Sequence, residues 1–234
     1  MKTALVIGAG GGIGAALTTH LAGTEEFNCV IAAGRASGES NDPRITTVPF
    51  DPIAESTREL QKRLSNVSPS IDRAFVTIGT LSVGPRPEKS VRELHPAVAT
   101  EIYAVNAIAP IKAAEACLPL MRSEASVLCV LSAQVGSIGD NRSGGWYSYR
   151  MSKAALNMGI RSLALEEARR PRHATIVAVH PGTTLTGLSA EFVEGRDGVA
   201  DPQTTAGRLN ILAARCDPDL HGAFVTWRGE RLPW

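Results

Sequence analysis

Short apolar runs alternate with helix-like segments along the whole chain. The runs at residues 4–7, 29–33 and 126–131 are almost continuously apolar, which is typical of parallel strands covered on both faces. Between them, apolar residues recur every three or four positions, as an amphipathic helix requires. This alternation predicts one α/β domain over residues 1–234, a Rossmann-type doubly wound parallel sheet with helices on both faces.

The same pattern predicts the remaining elements. Further strands are expected at 45–50, 72–76, 174–179 and 222–227, and helices at 53–64, 91–121, 149–169 and 203–215. Residues 183–201 have little periodicity and contain Gly195 and Gly198. This segment is therefore predicted to be a mobile lid over a substrate.

Composition narrows the class of protein. The net charge is +1 and charged residues make up 20% of the chain, so we expect neither a nucleic-acid nor a membrane partner. No apolar run approaches membrane-spanning length, and the first strand follows Met1 too closely for a signal peptide. Four scattered cysteines and five histidines show no ligand spacing, which predicts reduced thiols, a cytoplasmic protein and no metal site.

A glycine-rich turn follows the first predicted strand. Residues 8–14 contain five glycines and lead into a helix-like segment. Glycine is costly to order, and its use here is close approach of the backbone to a ligand. Backbone amides at the start of a helix can hold a pyrophosphate, so a dinucleotide site is predicted at Gly8, Gly12, Ile13 and Gly14.

The end of the second predicted strand indicates which dinucleotide binds. An acidic residue at this point would hold the ribose hydroxyls of NAD(H), but Ala33 and Gly34 are followed by Arg35. An arginine suits a 2′-phosphate. Arg35, assisted by Ser37, therefore favours NADP(H) over NAD(H).

Tyr149 and Lys153 are the candidate catalytic pair. They are four residues apart and so share one face of a helix. A nearby ammonium can lower the pKa of a phenol, which allows it to exchange a proton with a carbonyl or alcohol oxygen. Because no side chain delivers a hydride, this pair predicts redox chemistry only together with a cofactor.

The order Gly8-x-x-x-Gly12-x-Gly14 and then Tyr149-x-x-x-Lys153 resembles the short-chain dehydrogenase/reductase family. The long connection at 138–145 and the chain ending at 229–234 resemble its C-factor-like and sniffer-like carbonyl reductases. The resemblance implies NADPH-dependent reduction of an aldehyde, ketone or quinone, in a homodimer or homotetramer formed by the two long helices. A non-catalytic NADP(H) sensor and an alcohol-oxidising enzyme are the alternatives.

The resemblance also implies roles for individual residues. Asn106 would bind a water of the proton relay, with Pro110 freeing its carbonyl, and Lys153 would hold the nicotinamide ribose. Pro181, Gly182 and Thr186 would hold the nicotinamide carboxamide. Two further residues would line the adenosine side: Gly79 and Asp51, although Asp51 equally suits a helix cap.

Two departures from the family pattern stand out. Val76-Thr77-Ile78-Gly79 replaces the usual Asn-Asn-Ala-Gly and keeps only the glycine. Ala133 occupies the position of the family serine that positions the carbonyl. Ser132 or Ser137 could position the carbonyl instead, or the role could be unfilled. An unfilled role would favour the sensor.

Overall fold

Seven parallel strands form the centre of the computed structural model, which describes residues 2–35, 40–84, 86–193, 195 and 197–234. Their order is β3-β2-β1-β4-β5-β6-β7, and the chain reverses its direction of growth between β1 and β4. Ligands of such sheets bind at the carboxyl ends of the strands at this point. The strands are β1 (Thr3–Ile7), β2 (Cys29–Gly34), β3 (Ile45–Pro49), β4 (Arg73–Val76), β5 (Val127–Leu131), β6 (Thr175–His180) and β7 (Ala223–Thr226).

Helices cover both faces of the sheet, as predicted. In β1, Leu5 and Ile7 pack into the core on one face, and Ala4 and Val6 pack into the core on the other. This follows from the two-residue period of a strand, and it explains why the central strands are almost continuously apolar. The helices are α1 (Gly12–Gly23), α2 (Thr57–Val67), α3 (Pro96–Tyr103), α4 (Ala109–Cys117), α5 (Tyr147–Glu167), α6 (Ala190–Val193) and α7 (Pro202–Ala214).

Helix α2 begins four residues later than predicted. The prediction placed its start at residue 53, but Asp51 Oδ1 accepts hydrogen bonds from the amides of Ile53 and Ala54 and closes a separate turn. Ser56 is the actual cap, because its hydroxyl accepts from the amide of Glu59. Of the two roles left open for Asp51, capping a turn is therefore observed, although the turn is not the helix itself.

The predicted helix at 91–121 is interrupted. A short 3₁₀ turn, Val91–Glu93, ends before Pro96, because proline is tolerated only in the first turn of a helix. A π-helical turn, Ala104–Ile108, then separates α3 from α4. Such turns widen a helix by one residue and are frequent at functional sites.

The predicted lid is anchored at its base. Residues 183 and 200 come together, since the amide of Ala200 donates to Thr183 and the amide of Leu185 donates to Ala200. Helix α6 lies within the intervening segment. In the part of the chain that the structure describes, no helix is long and apolar enough to cross a membrane, and no cluster of metal-ligating side chains occurs.

Candidate active site

The glycine turn connects β1 to α1 with very little space to spare. Gly8 has a φ of +96°, which favours glycine, and a Cβ at Gly14 would lie 2.1 Å from the carbonyl oxygen of Gly8. The amides of Gly8 and Ala9 both donate to Ala33 at the end of β2. The first amides of α1 therefore stand at the carboxyl edge of the sheet, where they suit an anionic pyrophosphate.

Thr77 stands in the Val76-Thr77-Ile78-Gly79 segment, where the family usually has two asparagines, and it contacts the glycine turn. Its hydroxyl lies 3.1 Å from the carbonyl oxygen of Ile7 and 3.0 Å from that of Gly8, so it ties the end of β4 to the glycine turn. A Cβ at Gly8 would lie 2.7 Å from this hydroxyl. Thr77 therefore supports the turn from a position that the sequence revealed only as a departure.

Arg35 and Asp51 lie on the far side of the same turn. Arg35 is exposed and directly follows β2, and Gly34 accepts a hydrogen bond from the amide of Phe50, next to Asp51. A Cβ at Gly34 would lie 3.5 Å from the amide nitrogen of Ala9 in the glycine turn. Both residues thus stand at the edge expected for an adenosine end, whereas Ser37 lies outside the described residues.

Tyr149 and Lys153 lie on one face of α5, as their spacing predicted, and both line a cavity of about 410 Å³. Burial raises the pKa of Tyr149 to about 12. Burial also lowers the pKa of Lys153 to about 8. The Tyr149 pKa is therefore raised, whereas the prediction was that Lys153 lowers it. The ammonium lies 5.9 Å from the ring centroid and donates to the carbonyl of Leu131, so desolvation dominates.

Asn106 lies in the π-helical turn and is fully buried. Its Oδ1 accepts from the amide of Thr80, and its Nδ2 donates to the carbonyl of Thr80 and to the hydroxyl of Ser152. The Ser152 hydroxyl in turn donates to the carbonyl of Tyr149. Gly79 fits between these groups, since a Cβ there would lie 3.3 Å from Lys153 Nζ and 3.5 Å from Asn106 Oδ1.

Neither serine near Ala133 has a free hydroxyl for a substrate. Ser132 follows β5 and donates to Asn157 Oδ1 on α5 at 2.6 Å. Ser137 is buried and donates to the carbonyl of Trp234. Ala133 itself lines the cavity. Both hydroxyls are thus hydrogen-bonded within the protein, and Ser132 also lines the cavity.

The segment after β6 closes the other side of the cavity. Pro181, Gly182 and Thr186 all line it, and Thr186 lies against the glycine turn because a Cβ at Gly12 would come within 2.8 Å of its methyl group. Gly182 has a φ of +84° and stands against the ring of Trp227. These contacts place the two predicted cofactor segments face to face across the end of β1.

Sequence reasoning missed several residues that line the cavity. His180, at the end of β6, has a buried Nδ1 without a hydrogen-bond partner among the described residues, and burial lowers the pKa of its imidazole to about 4. Trp146 and Phe192 form an aromatic wall beside Tyr149. In the sequence, the only indication of these residues was that they stand near the Tyr149 and Pro181-Gly182 motifs. The orientation of their side chains depends on tertiary contacts.

The sheet order and the glycine turn define a dinucleotide-binding protein of the Rossmann class, with a candidate redox site at the switch point. Residues 2–197 match the sequence model of the short chain dehydrogenase family. The chain therefore belongs to the short-chain dehydrogenase/reductase family and is an oxidoreductase of the kind that uses a nicotinamide cofactor.

Two relatives agree with this assignment. A 1-hydroxy-2-glutathionyl-2-methyl-3-butene dehydrogenase from Rhodococcus sp. (strain AD45) is 30% identical over 237 residues, covering all of both chains. The protein named C-signal from Myxococcus xanthus is 33% identical over 134 residues, which cover 56% of this chain and 76% of that protein.

Solved structures share the fold. The carbonyl reductase Sniffer of D. melanogaster superposes over all of both chains with a TM-score of 0.83 at 21% identity. An NADPH-bound carbonyl reductase from chicken fatty liver has a TM-score of 0.81 at 22% identity, covering 100% of this chain and 99% of the other. The predicted similarity to C-factor-like and sniffer-like proteins is confirmed.

Proposed function

We propose that the protein is an NADPH-dependent carbonyl reductase in which Tyr149 donates the proton. The bound nicotinamide supplies the hydride that this site needs, and Tyr149 gives its phenolic proton to the carbonyl oxygen of an aldehyde, ketone or quinone. Lys153 holds the nicotinamide ribose, and Pro181, Gly182 and Thr186 hold the carboxamide. The glycine turn fits such a group, because Gly8 and Gly14 leave no room for side chains.

One observation carries the proposal: the Tyr149 phenol and the Lys153 ammonium line the same cavity at the carboxyl edge of the sheet. With a pKa raised to about 12 by burial, Tyr149 is a neutral acid throughout the physiological pH range. An acid is what carbonyl reduction requires, whereas alcohol oxidation requires a phenolate base. A neutral phenol at this place is able to protonate a carbonyl oxygen.

Reprotonation of Tyr149 completes the cycle. Lys153 stands beside the ring with a pKa of about 8, so it exchanges protons readily near neutral pH. Asn106 Oδ1 lies 3.5 Å from where a Cβ at Gly79 would stand, and Asn106 is hydrogen-bonded through Ser152 to the backbone of Tyr149. Proline at position 110 cannot give the Asn106 carbonyl its usual helical hydrogen bond, which supports a water-binding role for that carbonyl.

Loss of NADPH absorbance with a panel of aldehydes, ketones and quinones tests this function. Turnover with any of them supports a reductase. The reverse assay uses NADP⁺ with alcohols, including a glutathionyl alcohol, because the Rhodococcus relative is named for such a substrate. Faster turnover in that direction at neutral pH would contradict the proposed direction, and no turnover in either direction would contradict the enzyme.

Ala133 is the observation that favours the second candidate, a non-catalytic NADP(H) sensor. The hydroxyls of Ser132 and Ser137 are both bonded to other groups of the protein, which argues against either one replacing the missing serine. The variant Ala133→Ser distinguishes the two functions. A sensor binds NADPH as wild type and gains carbonyl reduction only in this variant, whereas a reductase already turns over with alanine.

Replacing Arg35 with alanine is expected to weaken NADPH binding by about 10- to 100-fold and to leave NADH binding unchanged. The reason is that a charge-assisted hydrogen bond to the 2′-phosphate contributes about 1.5–3 kcal/mol. Fluorescence titration with both cofactors measures the effect, with the exposed Arg58→Ala as a charge-matched control. Equal losses for NADPH and NADH would refute a role in phosphate recognition.

We also propose that the protein forms a homodimer through α5. Met151, Met158 and Leu165 repeat every seven residues on its exposed side, and Met158 is 67% exposed. Such a stripe favours burial against a second copy.

Met158→Glu is expected to convert the dimer to monomer in sedimentation velocity runs at micromolar concentration. Ile211→Glu, at a position on α7 that is 54% exposed, is the control, and a monomeric wild type would contradict the proposal.

The cytoplasmic location predicted from the cysteines stays a prediction. All four cysteines are free thiols, and burial raises the pKa of Cys117 to about 12, which keeps it unreactive.

A further inference from the structure

The three residues before α5 all have left-handed backbones. Gly144, Gly145 and Trp146 have φ values of 63°, 66° and 51°. Trp146 is the only non-glycine residue with a positive φ in the described part of the chain. A bulky residue pays roughly 1–2 kcal/mol for this conformation, so the surrounding structure must hold it there.

Glu88 holds Trp146 from one side. The amide of Trp146 donates to the carbonyl of Glu88, and the buried Glu88 carboxylate accepts a short hydrogen bond from the Ser148 hydroxyl and another from the Ser148 amide. A carboxylate at this place also complements the positive end of α5. The chain segment around residue 88 therefore fixes the first turn of the helix that carries Tyr149.

Arg150 holds the same segment from the other side. Its Nε donates to the carbonyls of Gly144 and Gly145, and its Nη1 donates to Val135. Two charged side chains from opposite directions thus hold one strained tryptophan. Fixing the start of a helix does not by itself require a tryptophan, because glycine would adopt the same conformation without strain.

The position of the indole accounts for the tryptophan. Its ring centroid lies 6.2 Å from that of Tyr149 and 5.5 Å from that of Phe192 on α6, both in edge-to-face arrangements. All three residues line the cavity. Phe192 belongs to the segment predicted to be a lid, so the indole connects the proton donor with that lid.

We propose that Trp146 and Phe192 form a specificity wall that selects carbonyl compounds with an aromatic ring next to the carbonyl. This proposal rests on the proposed reductase function. Leu81, Leu188 and Val193 add apolar surface to the same cavity. A flat ring fits against the faces and edges of two aromatic side chains, and each such contact contributes beyond the burial of apolar area. A saturated ring of the same size gains only the burial.

The test compares benzaldehyde with cyclohexanecarbaldehyde, which differ in aromaticity but little in size. For the wild type, we expect kcat/KM to favour benzaldehyde by about 10-fold. In Trp146→Gly, where glycine accepts the backbone conformation without strain, this preference falls to about 2-fold or less. Phe192→Leu is expected to reduce the preference in the same way while conserving volume, and Trp146→Phe retains most of it. NADPH affinity stays unchanged in all three variants.

An unchanged preference in both Trp146→Gly and Phe192→Leu would overturn the wall, as would an equal loss of activity for both aldehydes. Calorimetry of the two aldehydes with the NADP⁺-loaded protein reads the same preference without turnover. A protein that reduces neither aldehyde but binds benzaldehyde about 10-fold more tightly contradicts the proposed reductase and supports the wall. Equal binding of the two aldehydes contradicts the wall whether or not turnover occurs.

Discussion

Tyr149→Phe is expected to lower kcat for carbonyl reduction by about 10²- to 10⁴-fold, the usual contribution of a general acid. Phenylalanine keeps the ring and its packing against Trp146 but has no proton to donate. Because the lost interaction is made in the transition state, we expect the dissociation constant of NADPH to stay within about 2-fold of the wild-type value.

Steady-state kinetics with the best aldehyde of the panel, together with fluorescence titration of NADPH, measures both quantities. Tyr147→Phe is the matched control, because Tyr147 lies in the same first turn of α5 but is not four residues from a lysine. Turnover in Tyr149→Phe within 10-fold of wild type would remove Tyr149 from the mechanism. An equal loss in Tyr147→Phe would show that the first turn of the helix, and not one hydroxyl, is responsible.

Lys153→Met is expected to be inactive and yet more stable than the wild type. The lysine is 4% exposed, and burial lowers its pKa from 10.5 to about 8, which corresponds to a cost of about 3 kcal/mol at neutral pH. Losing the hydrogen bond to Leu131 costs about 1 kcal/mol, so the net gain is about 2 kcal/mol. Loss of kcat comes from loss of the group that holds the nicotinamide ribose and returns a proton to Tyr149.

The lowered pKa of Lys153 determines whether the stability of the folded protein rises or falls with pH. Between pH 8 and 10.5 the unfolded chain binds the lysine proton and the folded chain does not, so the Lys153 contribution makes the wild type more stable as pH rises. Buried Cys117 and Cys216, whose pKa values are raised to about 12 and 11, act in the opposite direction above pH 9. Their effect cancels when Lys153→Met is compared with wild type.

Denaturant unfolding of the cofactor-free proteins at pH 7, 8, 9 and 10 measures the difference. The stability advantage of Lys153→Met is expected to be largest below pH 8 and to shrink toward pH 10.5, and wild-type kcat/KM is expected to fall above about pH 8. Lys62→Met, which removes an exposed lysine, should change neither quantity. A destabilised Lys153→Met at pH 7 would show that the lysine is held by stronger interactions than the bond to Leu131.

The predicted strands match the structure closely, as do the helices predicted at 149–169 and 203–215, whereas the helices predicted at 53–64 and 91–121 do not. Central strands such as β5 are continuous apolar runs that both faces of the sheet bury, so their signal is local and strong. Helix starts are weaker signals, because Asp51 and Ser56 are both good capping residues and only packing decides which one begins α2. The interruption before Pro96 was readable from the proline itself.

Some features of the candidate site were likewise predictable from the sequence, and others were not. Glycine spacing and the four-residue separation of Tyr149 and Lys153 are properties of local geometry, so the chain order alone brought these groups to the correct ends of β1 and α5. The protonation states were not readable, because they depend on how much water the fold excludes. Burial raises the pKa of the phenol, whereas the expected effect of Lys153 was to lower it.

By itself, the sequence determined the sheet, the dinucleotide turn and the pairing of phenol with ammonium, because each depends on residues within about one turn or one strand. Tertiary structure alone decided that Ser132 bonds Asn157, that Thr77 supports the glycine turn, and that Glu88 and Arg150 hold Trp146. These contacts join residues that are 10 or more positions apart in the sequence, except for the bonds that Arg150 makes to nearby residues of its own segment. Their partners are selected by the packing of the sheet and helices, which no local pattern encodes.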